Sequence, residues 1–125
     1  MIDCRRATIE DLEHLVTGNR SIAVETEGVE LLEAKLRPGI AAILDDENKG
    51  IYWVACLEEQ VVGQILVTYE WSDWRNGEIW WIQSVYVWPD ARRQGVFRAL
   101  LDQVTNEAIA RSEEHTSELQ SQFRI

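Results

Sequence analysis

A short polar stretch between two apolar segments brings together the residues of this sequence that could bind an anion. Arg92, Arg93 and Gly95 follow Pro89 and precede apolar residues at helical spacing, so they lie where a strand gives way to a helix. The first N–H groups of a helix lack intrahelical partners, and the helix dipole adds partial positive charge there. A glycine admits a ligand close to the backbone, which makes this junction a candidate diphosphate site. An ordinary strand-to-helix turn with solvated arginines explains the spacing equally well.

The segments on either side supply the elements that position this stretch. Residues 79–88 are aromatic and β-branched without a helical period, which predicts a largely buried strand. Pro89 ends that strand because it has no N–H to give to a ladder. From Gly95 onward the apolar residues recur at helical spacing, namely Val96, Phe97, Leu100, Leu101, Val104 and Ile109.

The segment SVYVWPDARRQGVFRALL, residues 84–101, resembles motif A of the GNAT superfamily of N-acetyltransferases. In that motif a hydrophobic strand and a proline-like break precede R/Q-x-x-G-x-G/A at the start of a helix. Arg92, Gly95 and Phe97 occupy its three fixed positions, and Phe97 departs from the family, where Gly or Ala is usual. The resemblance covers residues 1–110. It implies acetyl-CoA as the cofactor and a primary amine of a small molecule or peptide as the acceptor.

The resemblance also implies which residues hold the cofactor. Backbone groups of the central strand at Val85 and Val87 would hydrogen-bond the pantetheine arm and the acetyl oxygen. Backbone N–H groups of residues 93–98 would hold the diphosphate. The implied cofactor-binding residues are Val85, Tyr86, Val87, Arg92, Arg93, Gln94, Gly95, Val96, Phe97 and Arg98.

The general base is the least determined part of the implied site. Some GNAT enzymes carry a glutamate early on the central strand, but Trp81 stands at that position and cannot accept a proton. Glu70 in the preceding strand and Glu25 near the first helices are the catalytic candidates, and Glu25 and Glu27 are also candidates to attract a cationic amine. Glu70 or Glu25 could act directly or through water if burial raises its pKa towards neutrality. A solvent-facing structural role is the alternative for each.

Two features of the sequence also permit a protein of another class. Trp81 at the usual base position and Phe97 in the motif are compatible with a non-catalytic acyl-CoA-binding or interaction module. Thioester turnover with a panel of amines distinguishes that module from an enzyme.

Four tryptophans between residues 71 and 81 have two interpretations. Their indole faces attract cations and could line an acceptor pocket. On a strand, however, Trp80 and Trp81 point to opposite faces, so at least one of them is expected in the core. We predict core packing for most of the set, which consists of Trp71, Trp74, Trp80 and Trp81.

Length, composition and net charge limit the classes of function that this protein can have. The 125 residues are long enough for one domain with a single core. The net charge of −10 argues against nucleic acid, since phosphate contacts need clustered basic residues, and favours a cationic acceptor. Cys4 and Cys56 have no metal or redox spacing, which predicts no metal site and free thiols in a reducing compartment. No signal-peptide pattern or membrane-spanning apolar run is present, so we expect a cytoplasmic protein that does not bind membranes, with a homodimer as a possible assembly.

The N-terminal part predicts a strand and two helices. We expect a strand over residues 2–7 and then a helix that Thr8 caps, with Asp11 in a capping-box position. A second amphipathic helix is expected over residues 29–36. Pro38 cannot continue it comfortably and would start a new segment.

The middle of the chain predicts an antiparallel meander that leads into the motif. Residues 51–57 and 61–71 are predicted strands joined by a short acidic turn over residues 58–60, which is a β-hairpin signal, and Gly63 suggests a bulge or close packing. The order of elements matches the GNAT family. The expected fold class is therefore α+β, a mixed, mostly antiparallel sheet flanked by helices that lacks its C-terminal strands.

The apolar helical period ends at Arg111, and residues 111–125 differ in sequence character from the rest of the chain. Residues 111–121, RSEEHTSELQS, resemble the in-frame translation of a common DNA-sequencing adapter, so we expect a GNAT domain over residues 1–110 and a non-native or frayed tail over residues 111–125. His115 and the glutamates beside it would then have no evolved role. The sequence predicts no strand after the helix that begins at Gly95. The strand over residues 79–88 would then have an unpaired edge, and the expected cofactor site would lack one of its walls. An inactive fragment of the enzyme is a further alternative.

Overall fold

The computed structural model describes the backbone of residues 1–114 and 118–123 and the side chains of residues 1–111. The strands form one five-stranded sheet in the order β1-β2-β3-β4-β5, in which β1 to β4 pair antiparallel and β5 pairs parallel with β4. This is the predicted α+β architecture. The elements are β1 (Ile2–Arg6), α1 (Leu12–Glu27), α2 (Glu33–Asp45), β2 (Ile51–Leu57), β3 (Gln60–Ser72), β4 (Gly77–Val87), α3 (Val96–Glu114) and β5 (Glu118–Phe123).

Helices cover both faces of the sheet, which makes three layers. On one face α3 packs against a core that includes Trp53, Ile65 and Trp80. On the other face α1 and α2 pack against a core that includes Tyr52 and Leu66. β2 lies under helices on both sides, which explains its unbroken apolar run. Within the described residues, no helix combines the length and apolar character needed to cross a membrane.

The link from β1 to α1 contains the predicted cap. The backbone N–H of Thr8 donates to the Asp11 carboxylate at 2.8 Å in a reciprocal capping box, at a 3-10 turn just before α1. Arg5 on β1 donates to both oxygens of the same carboxylate at 2.8 and 3.0 Å. Asp11 is buried and therefore ties the first strand to the first helix.

The second helix differs from its predicted bounds. Residues 29–32 precede it, and α2 runs from Glu33 to Asp45 with Pro38 inside. Pro38 removes one helical N–H bond, which is a local cost. Leu36, Ile40, Ile43 and Leu44 nevertheless form one stripe that packs on the sheet across the proline. Burial of that stripe outweighs the local cost, so tertiary packing sets the length of the helix.

The prediction for the tryptophans is wrong for most of the set. Trp80 is fully buried in the core, as at least one of the pair on β4 had to be. Trp71 and Trp74 are 63% and 95% exposed, and Trp81 is half-buried. Trp71 and Trp74 lie at the tip of the long β3–β4 hairpin, beyond the sheet residues that the helices cover.

The structure has a strand directly after the central helix, where the sequence predicts none. α3 continues to Glu114, and β5 pairs parallel with β4 from Ile79 opposite Glu118 to Ile82 opposite Phe123. The segment ELQSQF has no β-branched residue and gives little strand signal by itself. The open edge of β4 provides a template for pairing that depends mainly on backbone groups. Residues 115–117 and 124–125 of the predicted tail, His115 among them, lie outside the described residues.

Candidate functional site

A cavity of about 580 Å³ opens where the end of β4 meets the start of α3 and the C-terminal half of α1. Its size is typical of sites for cofactors and small molecules. All of the implied cofactor-binding residues except Gln94 line it, and the Gln94 side chain instead donates to the Asp90 carbonyl at 3.0 Å. The lining residues are Ile22, Glu25, Thr26, Ser84, Val85, Tyr86, Val87, Ala91, Arg92, Arg93, Gly95, Val96, Phe97 and Arg98.

A bulge in β4 turns the edge of this strand towards the cavity. The register between β3 and β4 shifts at Gln83, which is an extra residue on β4. A bulge bends its strand and increases the local twist. Before the bulge, residues 79–82 pair with β5, and beyond it residues 84–87 line the cavity. The described pairing with β5 therefore stops before the bulge, at Ile82 opposite Phe123, and residues 84–87 line the cavity beyond it.

The edge of β4 beyond the bulge presents backbone donors. The N–H of Trp88 donates to the Val62 carbonyl on β3 at 2.9 Å. Successive N–H groups of a strand alternate in direction, so those of Val85 and Val87 point away from β3. These are the two residues for which the sequence predicts main-chain contacts to a ligand.

The loop between β4 and α3 leaves its backbone open at one glycine. Arg93 and Gly95 both adopt left-handed conformations, with φ of 66° and 87°. A Cβ on Gly95 would meet only the Ile2 side chain, at 3.9 Å, so the space above this backbone is clear. The first α3 bond joins the Ala99 N–H to the Gly95 carbonyl at 3.0 Å. The N–H groups that precede Ala99 in the first turn therefore point beyond the helix start.

Close packing against the sheet fixes the start of α3. A Cβ on Gly63 would lie 2.7 Å from the Val96 side chain, and Val96 is buried. The register between β2 and β3 also shifts at this point. Both a bulge and close packing, as predicted from Gly63, are confirmed, and together they let the helix approach β3.

Arg92, Glu25 and Tyr86 form a connected cluster on the wall of the cavity. Arg92 donates to the Glu25 carboxylate at 3.0 Å and to the Val87 carbonyl at 2.9 Å, and its guanidinium lies 5.4 Å from the centre of the Tyr86 ring. The Tyr86 hydroxyl donates to the other Glu25 oxygen at 2.5 Å. The hydrogen bonds from Tyr86 and Arg92 hold the pKa of Glu25 below its usual value. The condition set for Glu25 as a base, a pKa raised by burial, is therefore not met.

Glu70 lies in a different environment. It is exposed on β3, so the burial that was the condition for a base is absent at Glu70 as well, and its carboxylate accepts a hydrogen bond from the Trp81 indole at 2.5 Å. The register places Glu70 opposite Ile79, diagonal to Trp81 and before the bulge, so Glu70 does not line the cavity. Trp81 is the residue at the usual base position in the resemblance. The structure thus brings a carboxylate from the neighbouring strand next to that position.

Comparison with known protein families and solved structures indicates the family to which a chain with this cavity belongs. The sequence matches the profile described as the acetyltransferase (GNAT) family over residues 10–122. The chain belongs to the GNAT acetyltransferase family. The solved structure of a possible acetyltransferase from Clostridium difficile 630 is 41% identical, with a TM-score of 0.86 over 100% of this chain and 80% of that chain.

More distant structures share the GNAT fold. A protein from Clostridium acetobutylicum, described as a predicted acetyltransferase with acetyl-CoA, is 24% identical, with a TM-score of 0.71 over 90% of this chain and 76% of that one. A ribosomal-protein-alanine N-acetyltransferase from Brucella melitensis biovar Abortus 2308 is 16% identical, with a TM-score of 0.72 over 99% of this chain and 80% of its own. At these identities the likeness shows the fold alone. A search of curated proteins gives no match.

GNAT proteins bind acyl-CoA and transfer its acyl group, and the residues of this cavity fit such a ligand. The edge of β4 supplies N–H donors, Gly95 leaves room beside the backbone, and three arginines line the wall in a chain whose net charge is −10. Positive charge concentrated at a helix N-terminus is what a diphosphate requires. The arginines are Arg92, Arg93 and Arg98.

The sequence did not single out four of the residues that line the cavity, one of which is Ala91 in the turn after Pro89. Ile22 and Thr26 lie one helical turn apart on α1 on either side of Glu25, and Ser84 starts the motif segment. Helical spacing could have indicated the first two, because Ile22 stands three residues before Glu25 and Thr26 stands four residues after Ile22. Ser84 had no such signal, because its exposure to the cavity depends on the bulge at Gln83.

Proposed function

We propose that this chain is an N-acetyltransferase that uses acetyl-CoA to acetylate a primary amine of a small molecule or peptide. The observation that carries the proposal is the cavity in which the edge of β4 beyond the bulge meets the start of α3 at Gly95. Membership of the GNAT family supports acyl transfer in general. The acetyl group and the amine acceptor are the additional content of the proposal.

Each part of the cavity has a role in this proposal. The N–H groups at the start of α3 and the Arg93 side chain hold the diphosphate, while the N–H groups of Val85 and Val87 orient the pantetheine and the acetyl oxygen. Acetyl-CoA supplies an activated thioester when bound. The chain contributes orientation and donors for negative charge, both of which speed acyl transfer.

We assign the proton acceptor to Glu70 rather than Glu25. Glu25 is bound to Arg92 and Tyr86, and its lowered pKa makes it a weak base. Glu70 lies outside the cavity lining, but its carboxylate is held by the indole of Trp81, the residue at the usual base position, and in this proposal it accepts the proton of an incoming amine directly or through water. Glu27 lies near the cavity on the exposed end of α1 and adds negative charge that attracts a cationic amine.

Net charge and free thiols support the proposed class of acceptor and the proposed cellular compartment. A net charge of −10 favours cationic acceptors and disfavours nucleic acid. Cys4 and Cys56 are both free thiols, which supports a reducing compartment such as the cytoplasm. A homodimer is compatible with this proposal and can be tested by sedimentation.

Calorimetry with the full chain tests cofactor binding. We expect acetyl-CoA to bind with a Kd on the order of 10 μM, since coenzyme sites of this size commonly reach micromolar affinity. Arg93→Ala should weaken binding about tenfold because it removes one charge from the diphosphate site. Arg20→Ala is the matched control, because Arg20 is an exposed arginine outside this cavity. Absence of binding at millimolar acetyl-CoA would overturn the proposal.

Release of free thiol from acetyl-CoA in the presence of a panel of amines tests catalysis. We expect turnover with at least one cationic amine, and a loss of about 100-fold in kcat for Glu70→Gln with little change for Glu78→Gln on the adjacent strand. Binding of acetyl-CoA without thiol release from any amine would instead identify a non-catalytic acyl-CoA-binding module.

A further inference from the structure

A second cavity lies between α1 and α2 and shares no lining residue with the cofactor cavity. Its volume is about 530 Å³, and its walls are mostly apolar. Glu30 and Lys35 also line it, and their opposite charges leave no net charge there. The apolar walls are formed by Leu31, Leu32, Leu36, Ile40 and Ile43.

A buried phenol in this cavity has a proton to donate. The Tyr52 hydroxyl accepts a hydrogen bond from the Asn19 side-chain nitrogen at 3.1 Å, and Tyr52 is only 3% exposed. The Leu15 carbonyl accepts from the same nitrogen at 2.8 Å, which fixes the orientation of the Asn19 amide. Among the described residues, the Tyr52 proton has no acceptor and the Asn19 side-chain oxygen has no donor. A buried donor without an acceptor is costly, so a ligand group that accepts this proton is stabilised there.

A glycine keeps the wall of this cavity open. Gly39 lies inside α2, where a glycine destabilises a helix relative to alanine. Neither steric crowding nor conformation requires it, because a Cβ there would meet nothing within 4 Å and its φ is not in the left-handed region. The structural effect of Gly39 is therefore to leave space beside the cavity that it lines.

We propose that this second cavity binds a neutral small molecule with an apolar body and one terminal amide or hydroxyl group. The body packs against the leucines and isoleucines of the loop and α2. The terminal group accepts the proton of the buried Tyr52 hydroxyl and donates to the oxygen of the half-buried Asn19 side chain. The balance of charge between Glu30 and Lys35 favours a neutral ligand over an ionic one.

A titration of the full chain with 4-phenylbutanamide, followed by backbone NMR, tests the proposal. This probe has a phenylalkyl body and one terminal amide. We expect saturable shifts at Asn19, Tyr52 and the residues of α2 around Gly39, with a Kd on the order of 100 μM. Tyr52→Phe removes only the hydroxyl and should weaken binding about tenfold.

Two variants at Gly39 separate occupancy of the cavity from folding. Gly39→Leu fills the space and should abolish the saturable shifts, while Gly39→Ala leaves most of the space and should retain them. Both variants should melt at or above the temperature of the original chain, since Leu and Ala form helices better than Gly. Unchanged affinity in Gly39→Leu or Tyr52→Phe, no saturable shift, or shifts confined to Ile22, Thr26 and Ser84 would each overturn the proposal.

Discussion

The charge that Arg92 presents to the cofactor cavity depends on a single neighbour, Glu25. Their ion pair spans 3.0 Å, and the Tyr86 hydroxyl binds the same carboxylate. Burial, and secondly the bond to Glu25, raise the pKa of Tyr86, while the bonds from Tyr86 and Arg92 lower that of Glu25. At neutral pH the cluster therefore consists of a carboxylate, a protonated phenol and a guanidinium. Glu25 offsets positive charge beside the proposed diphosphate site and leaves Arg93 as the less compensated arginine.

Glu25→Gln tests this role against a catalytic one. The substitution removes the negative charge while the Val87 carbonyl and the Tyr86 ring still hold Arg92. We expect the Kd for acetyl-CoA, measured by calorimetry, to fall about threefold, with kcat changed by less than about threefold. Glu27→Gln, an exposed neighbour that does not line the cavity, should change neither quantity. A 100-fold loss of kcat in Glu25→Gln would instead identify Glu25 as the general base.

The same substitution at two glycines tests whether the loop before α3 requires glycine for its left-handed backbone conformation. Gly95 has φ of 87° and no crowding around a Cβ, so Gly95→Ala adds backbone strain without a clash. We expect it to lower the free energy of unfolding by about 1 kcal/mol in urea denaturation. Gly39→Ala, the same change inside α2, should raise it by about 1 kcal/mol. Equal effects at the two positions would show that the left-handed conformation of Gly95 is not what requires glycine.

At the scale of elements, the unit of β1, the 3-10 turn and α1 depends on one buried carboxylate. Asp11 caps the turn through the Thr8 N–H and binds Arg5 on the strand through both of its oxygens. The Arg5 hydrogen bonds, against the opposing effect of burial, hold the pKa of Asp11 below its ordinary value of 3.8. The orientation of α1, and with it the position of Glu25 in the cavity, follows from this connection.

Asp11→Asn should destabilise the chain in a pH-dependent manner. At pH 7 we expect a loss of about 1–2 kcal/mol in the free energy of unfolding, measured in urea. A carboxylate with a depressed folded-state pKa stabilises the fold above its unfolded pKa, near 3.8, and this contribution is lost as pH falls through the lower folded value. The difference between the two proteins should therefore shrink below about pH 4. Glu10→Gln, on an exposed neighbour, should show neither effect, and a difference independent of pH would contradict the assignment.

At the scale of the whole molecule, β5 shares the edge of β4 with the cofactor cavity. The described part of β5 pairs with residues 79–82, before the bulge, and so covers the half of the edge that the cavity does not use. The origin of residues 111–125 as a non-native tail stays a prediction. Its consequence for the sheet can be measured, because a strand that contributes pairing should contribute stability.

Deletion of residues 112–125 tests that contribution. The shortened chain keeps Arg111, whose guanidinium lies 5.5 Å from the centre of the Trp80 ring. It loses the pairing with β4, so we expect the free energy of unfolding to fall by about 2 kcal/mol and the exposed edge to promote self-association, seen by sedimentation. Deletion of residues 124–125 alone is the control. An unchanged stability after the longer deletion would support the frayed tail that the sequence predicts.

The local units of this protein could be predicted from the sequence because each depends on neighbouring residues. Strand, proline break and glycine-led helix follow from periodicity and backbone chemistry in residues 79–109, and the cap at Thr8 and Asp11 follows from their spacing. The tertiary structure decided what depends on distant contacts: the passage of α2 through Pro38, the exposure of Trp71 and Trp74, and the pairing of β5. It also decided that Glu25 meets Arg92 and that Glu70 meets Trp81, since both pairs join separate elements. Sequence spacing describes one element at a time, whereas the environment of a carboxylate is set by whichever element packs against it.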